Sequence, residues 1–372
     1  DGGRQTAVLE LSEAEQVFEF DGIAEAPVPS LGRDFSAPVV IDFAYDDAQL
    51  AFLAAHDGDP FNRWEAGQRL ITRCVLAVLD GADPQQRCAP LIDAMARVLD
   101  DEALDPAFRD QMLLLPSEGY IAEQLPVVDP VAVREAREAV RGCIAQGLAP
   151  RWSALYRALS TDAPWSFDPA SVGRRALKNL ALGFWVDCGD AAAVAAAEAQ
   201  FEGADNMSDR SAALLALMRA GGQPRERALA AFAKTFADEA LVLDKWFAMQ
   251  ATMYRRPGDG PVLERVQALM KHPAFSLRNP NRVRALIGSF CHGNLAEFHA
   301  EDGSGYAWWA ERVLELDPIN PQIAARLARA LDRWRKFDPG RQAAMRAALE
   351  TLDAAPRLSR DVREIVGKTL AA

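Results

Sequence analysis

From residue 46 onward, hydrophobic positions recur every three or four residues, the spacing of one face of an α-helix. Trp64, Gly67, Leu70, Ile71, Cys74, Val75 and Val78 form one such stripe. Val283, Leu286, Ile287 and Phe290 form another, and Val362, Ile365, Val366 and Leu370 a third. Before residue 45 the pattern changes. Residues 8–11, 17–20 and 39–43 are short, rich in β-branched and aromatic side chains, and separated by stretches such as Pro27-Val28-Pro29, so they predict strands. Three short strands cannot build a core alone. They read as the end of a sheet with an unpaired edge, whose other strands are supplied elsewhere.

The helical region is punctuated by Asx-Pro pairs opening at Asp59, Asp83, Asp105, Asp129, Asp168, Asn279, Asp317, Asn320 and Asp338. Each supplies an oxygen acceptor suited to an N-cap and a proline suited to the first helical turn, where its missing N–H costs nothing. The first four lie 24, 22 and 24 residues apart, about one helix and one connection each. The expected fold is therefore mainly all-α: antiparallel hairpins stacked into a superhelix, α-solenoid-like, behind a short N-terminal β segment. The division falls between residues 1–45, a partial β-sandwich segment, and residues 46–372, a C-terminal α-helical domain. No segment repeats another in sequence, which argues against an array of named repeats.

Charge narrows the partners. Lys and Arg number 41 against 53 Asp and Glu, a net charge of −12, and such a surface repels phosphate backbones and anionic lipid. Neither nucleic acid nor membrane is an expected partner, and no apolar run approaches the roughly 20 residues that span a bilayer. The first residues carry no basic and apolar leader pattern. Five cysteines stand singly with no Cys-x-x-Cys, which favours free thiols and a cytoplasmic setting.

Catalytic groups are sparse. The four histidines, His56, His272, His292 and His299, form no His-Glu-x-x-His. His299-Ala300-Glu301 lacks the downstream Pro-Cys-x-x-Cys of zinc deaminases, although Cys291, His292 and His299 could approach one metal ion. Gly303-Ser304-Gly305 reads as a turn before a helix at Tyr306. Arg134, Glu135, Arg137, Glu138 and Arg141 read as a solvated helix face with short-range charge pairs. Arg333-Trp334-Arg335-Lys336 reads as arginine stems snorkelling at a helix end. Spacing alone thus assigns no catalytic residue, no metal site and no cofactor to the chain.

Longer blocks carry a resemblance. Residues 27–39, Ala204-Asp205-Asn206-Met207-Ser208-Asp209, Leu243-Asp244-Lys245-Trp246-Phe247 and Asn279-Pro280-Asn281-Arg282-Val283-Arg284 come first. Phe298-His299-Ala300-Glu301-Asp302-Gly303-Ser304-Gly305-Tyr306 and Asn320-Pro321-Gln322 follow. In this order and spacing the chain resembles the C-terminal region of bacterial aminopeptidase N, over essentially its whole length.

The resemblance implies a parent zinc metallopeptidase that removes N-terminal residues from peptides. The family's zinc ligands, general-base glutamate and Gly-x-Met-Glu-Asn motif lie upstream of the matched region, and none of them occurs in this sequence. The implied role is that of the helical domain that covers the catalytic cavity and shapes peptide access. Its partners would be the catalytic and β-sandwich domains of the same polypeptide, together with peptide substrates. By the same resemblance, Gln322 matches a residue lining the pocket for the substrate's first side chain. Arg326 and Arg284 match arginines facing the cavity beyond the scissile bond. An Asn320 cap would place Gln322 and Arg326 on one helix face. The plainer alternative is that each arginine pairs with a neighbouring acid. A stand-alone helical-repeat interaction module and a small independent hydrolase remain as other readings of the whole chain.

Overall fold

A computed structural model of the chain describes residues 6–161 and 163–371. Helices begin where eight of the nine Asx-Pro pairs place them. Asp59, Asp83, Asp105, Asp129, Asp168, Asn279, Asn320 and Asp338 each accept a backbone N–H from the turn they open, with proline as the first helical residue. Each cap contributes about 1 kcal/mol. Asp317 is the exception. Its backbone stays right-handed helical (φ −55°, ψ −48°) at the end of the Ser304–Leu316 helix. Its buried carboxylate instead accepts the Ser359 N–H at 2.7 Å, tying that helix end to the start of the last helix. With two Asx-Pro pairs three residues apart, the first closes a helix and the second opens the next.

Stacked helices bury a continuous apolar core. The Pro60–Leu79 helix packs against Asp47–His56, Pro84–Asp100 and Pro130–Gly147, and Pro169–Asp187 packs against Pro106–Leu113, Ala149–Leu159 and Met207–Ala220. The superhelix then curves back on itself. The Val128 N–H donates to the Lys336 carbonyl at 2.7 Å, and Arg333 meets Glu123 at 2.5 Å, joining residues about 210 positions apart. Lys336 belongs to this closure, donating to the Glu123 carbonyl. Trp334 is buried and donates its indole N–H to the Thr369 carbonyl, while Arg335 stacks on that ring and donates to the Thr369 and Leu370 carbonyls. The basic stretch therefore caps the last helix, as cations near a helix C-terminus do.

Two expectations are corrected here. The charged face of the Pro130–Gly147 helix is not simply solvated. Arg141 bonds Asp187 at 2.6 Å, and Arg219 bridges Asp187 and Glu138 at 2.7 Å each. Arg134 forks onto Glu118. Helices stack on both flanks of this one, so a face that reads as solvated becomes an inter-helix seam.

The expected partial sheet does not form either: residues 6–45 contain no paired strand among those described. Val8, Val17 and Val40 are 86%, 80% and 99% exposed. A strand is held by ladder bonds and cross-strand packing, and this segment finds no partner strand among the described residues. Residues 29–36 dock instead on the first helices. Asn62 donates to Ser30 and to the Leu31 carbonyl, Arg33 pairs with Asp57 at 2.6 Å, and the Tyr45 hydroxyl donates to the Pro29 carbonyl at 2.7 Å.

Candidate substrate-binding site

Three anchors hold the walls of a cavity of about 380 Å³. Arg282, buried, donates to the Ala274 and Ala240 carbonyls and pairs with Asp244, fixing the start of the Pro280–Val283 helix. Asn294, fully buried, donates to the Ala251 and Met253 carbonyls, fixing the end of the Ser289–Gly293 helix beside Thr252. Trp309 donates its indole N–H to the Leu327 carbonyl at 2.9 Å, fixing the Pro321–Ala328 helix.

Between the first two anchors the backbone widens. Residues Arg284–Gly288 form a π-helical turn, with the Ser289 N–H returning to the Arg284 carbonyl. The regular spacing of Val283, Leu286, Ile287 and Phe290 predicts an uninterrupted α-helix, and all four are indeed buried. The extra residue per turn is accommodated at Gly288, on the cavity side. Single π-turns of this kind recur at functional sites.

Arg284 and Arg326 both line this cavity, one from the π-turn and one from the Pro321–Ala328 helix. Val283, Ile323 and Leu327 supply apolar surface, and Thr252, Ser289 and His292 supply polar groups. Among the described residues no acidic side chain lines it. Arg284 donates only to neutral acceptors, the Pro280 carbonyl and the Asn281 side chain. Arg326 has no side-chain hydrogen bond or ion pair among the described residues. Gln322 is exposed one turn before Arg326 on the same helix, outside the cavity lining itself.

The other chemistry in this region is structural. Cys291, His292 and His299 do not converge, and among the described residues no three His, Cys, Asp or Glu side chains are placed to hold a metal ion. Cys291 is buried, which pushes its thiol well up. His299 lies within hydrogen-bonding distance of the Tyr306 hydroxyl at 3.1 Å. Burial, reinforced by the Arg341 charge, lowers its pKa to about 3. The Gly303-Ser304-Gly305 turn is steric in origin. Gly303 has φ +69°, and a Cβ on Gly305 would fall inside the contact radius of the Phe298 carbonyl oxygen.

Comparison with known proteins places this architecture. The domain of unknown function DUF3458_C, described as ARM repeats, matches residues 47–371. The chain belongs to the DUF3458_C family. The companion domain DUF3458, described as an Ig-like fold, matches residues 1–44. The ARM-repeat description corrects the expectation drawn from the lack of sequence repetition. The chain is 38% identical over 368 residues to aminopeptidase N of Escherichia coli strain K12, covering 98% of this chain and 42% of that protein. It is 39% identical over 367 residues to aminopeptidase N of Caulobacter vibrioides, covering 99% of this chain and 42% of that one. The crystal structure of Legionella pneumophila aminopeptidase A in complex with aspartic acid superposes with a TM-score of 0.84 at 30% identity, covering 95% of this chain and 42% of that one. This DUF3458_C chain thus corresponds to the C-terminal, helical, non-catalytic part of bacterial aminopeptidase N proteins and spans about 42% of their length.

Sequence reasoning reached Arg284 and Arg326 through family resemblance and missed Thr252, Ser289 and His292. A signal existed for one of them: Arg284, Gly288 and His292 step by four, and all three line the cavity.

Proposed function

We propose that this chain is the access-shaping domain of a zinc-dependent aminopeptidase, with residues 1–45 joining a β-sandwich and residues 46–372 covering the catalytic cavity. Peptides are the substrates; Gln322 borders the pocket for their first side chain, and Arg326 and Arg284 contact them beyond the reacting bond. The carrying observation is electrostatic. In a chain of net charge −12, two guanidinium groups share an apolar-floored cavity that no carboxylate among the described residues lines. A structural arginine pairs with an acid; Arg326 leaves its donors, and Arg284 those not given to Pro280 and Asn281, to an incoming carbonyl or carboxylate. The chain's own contribution is binding and shape. The zinc implied by the family has no donor set among the described residues, so no step here runs through it. Five free thiols support a cytoplasmic setting, and no described helix is long and apolar enough to cross a membrane.

The test is Arg326→Ala in the full-length peptidase. Hydrolysis of tripeptides should fall about ten- to a hundredfold in kcat/KM, the loss of one charge-assisted hydrogen bond. Aminoacyl reporters that end at the scissile bond should lose much less. Equal losses on both substrates would refute a binding role for Arg326.

A further inference from the structure

We propose that His292 is a third anion-recognising side chain of this cavity, which therefore selects peptides ending there in a free carboxylate on an apolar residue. The inference rests on the reading that the cavity receives peptide, and it goes further by naming the peptide's end and the residue that reads it.

His292 is exposed in the Ser289–Gly293 helix and lines the same cavity as Arg284 and Arg326. Its ring makes no hydrogen bond among the described residues. Its partial burial lowers the pKa below the ordinary value, and the Asp332 carboxylate opposes that shift. The charged groups around the cavity are thus Arg284 on the π-turn and Arg326 on the Pro321–Ala328 helix, with Asp332 acting on the imidazole from beyond that helix. Three nitrogen-bearing side chains share a cavity with three aliphatic ones, Val283, Ile323 and Leu327. A main-chain carbonyl needs one donor. A carboxylate has two oxygens and about four acceptor sites, and it uses several donors at once. The aliphatic side chains would meanwhile cover the last residue's side chain, at about 25 cal/mol per Å² removed from water. A mid-chain segment would leave much of this donor capacity unused.

His292 adds a proton-linked component to the selection. A carboxylate bound beside the ring favours the imidazolium and raises its pKa. Affinity for the acid therefore rises as pH falls through the His292 pKa of the complex. At pH 5 a peptide C-terminus, with a pKa of about 3.3–3.7, is still ionised, so both partners are then charged. An amidated C-terminus has no charge to pair, so this carboxylate-linked dependence is missing from the amide, while the α-amino group titrates alike in both probes.

The probes are Ala-Ala-Leu with a free carboxylate and its C-terminal amide, titrated into this 372-residue chain at pH 5 and pH 8. Calorimetry gives affinity, and the imidazole proton resonances give site occupancy. Four histidines make the spectrum simple, and His299, with a pKa of about 3, stays neutral throughout. The acid should bind more tightly than the amide. Its advantage should grow about fivefold from pH 8 to pH 5, the size of one partly exposed charge pair. The His292 resonance should titrate at higher pH in the complex. His292→Gln should abolish that growth. His292→Lys should hold the advantage high at both pH values, which a purely structural histidine would not do. Acid and amide binding equally, with both lost in Arg326→Ala, would overturn carboxylate selection and leave the peptide-cavity reading intact. Binding by neither probe would overturn both. A pH-dependent advantage that survives His292→Gln would remove His292 from the recognition.

Discussion

Arg219 and Arg326 are the same side chain in two electrostatic settings. Arg219 lies in the seam between stacked helices, where Asp187 and Glu138 each meet it at 2.7 Å. Burial alone would lower its pKa, yet those two carboxylates hold it raised. Glu138 mirrors this: burial pushes it up, and Arg219 prevails to hold it below its usual value. Arg141 completes the set by pairing with Asp187 and stacking on Phe184. Arg326 and Arg284 meet no acid in their cavity. Compensated arginines hold helices together, whereas uncompensated ones at a cavity are available to a ligand. Partner chemistry separates the two classes better than burial does, because Arg219 is itself still partly exposed.

The largest expected effect lies in the seam. Arg219→Ala leaves Asp187 and Glu138 facing each other with one cation fewer, and should cost about 3 kcal/mol in denaturant unfolding. By contrast, Arg326→Ala should stay within about 0.5 kcal/mol of the parent in the same measurement, as a surface side chain without partners does. A loss for Arg326→Ala approaching that for Arg219→Ala would collapse the distinction.

A third setting sharpens it: the buried imidazole of His299, kept neutral beside Arg341. Its folded-state pKa of about 3 lies below the unfolded value near 6.5, so the unfolded chain binds more protons between them. The stability linked to this group is present above about pH 6.5 and is lost as pH falls toward about 3, with a slope of up to about 1.4 kcal/mol per pH unit. Stability curves measured from pH 7 to pH 4 should show this slope in the parent and a shallower one in His299→Gln. An unchanged slope would mean that other groups carry the acid sensitivity. The smallest effect expected is that of Gln322→Ala. Exposed and outside the cavity lining, Gln322 should shift tripeptide kcat/KM in the full-length peptidase less than about tenfold, the weight of one neutral hydrogen bond. Steady-state kinetics beside Arg326→Ala checks that order.

Much of the helical region was legible because its determinants are local. An Asx oxygen and the proline after it act within one turn, and eight of nine pairs open helices accordingly. Asp317 departs from the pattern because Ser359, 42 residues away, claims its carboxylate. The N-terminal segment behaves in the opposite way: its residues match an Ig-like fold, yet they form no paired strand among those described, because a sheet preference needs neighbouring strands to be realised. The Pro130–Gly147 face misled because charge in sequence does not reveal whether a second helix will cover it. At the site, resemblance pointed to Arg284 and Arg326, but neither spacing nor family pattern could show whether acids stand beside them.

By itself, the sequence determined helix starts, the buried stripes and the acidic balance, since each depends on residues within a turn or on a simple sum. Tertiary structure decided which charges are compensated. It brought Asp187 to Arg219 and kept acids away from Arg284 and Arg326. It set Cys74, Cys88 and Cys143, from three different helices, into one buried group. It also placed His292 in the same wall as two arginines. Charge interactions fall off with distance through space and are indifferent to distance along the chain, so only the folded superhelix could tell a strut from a binding group.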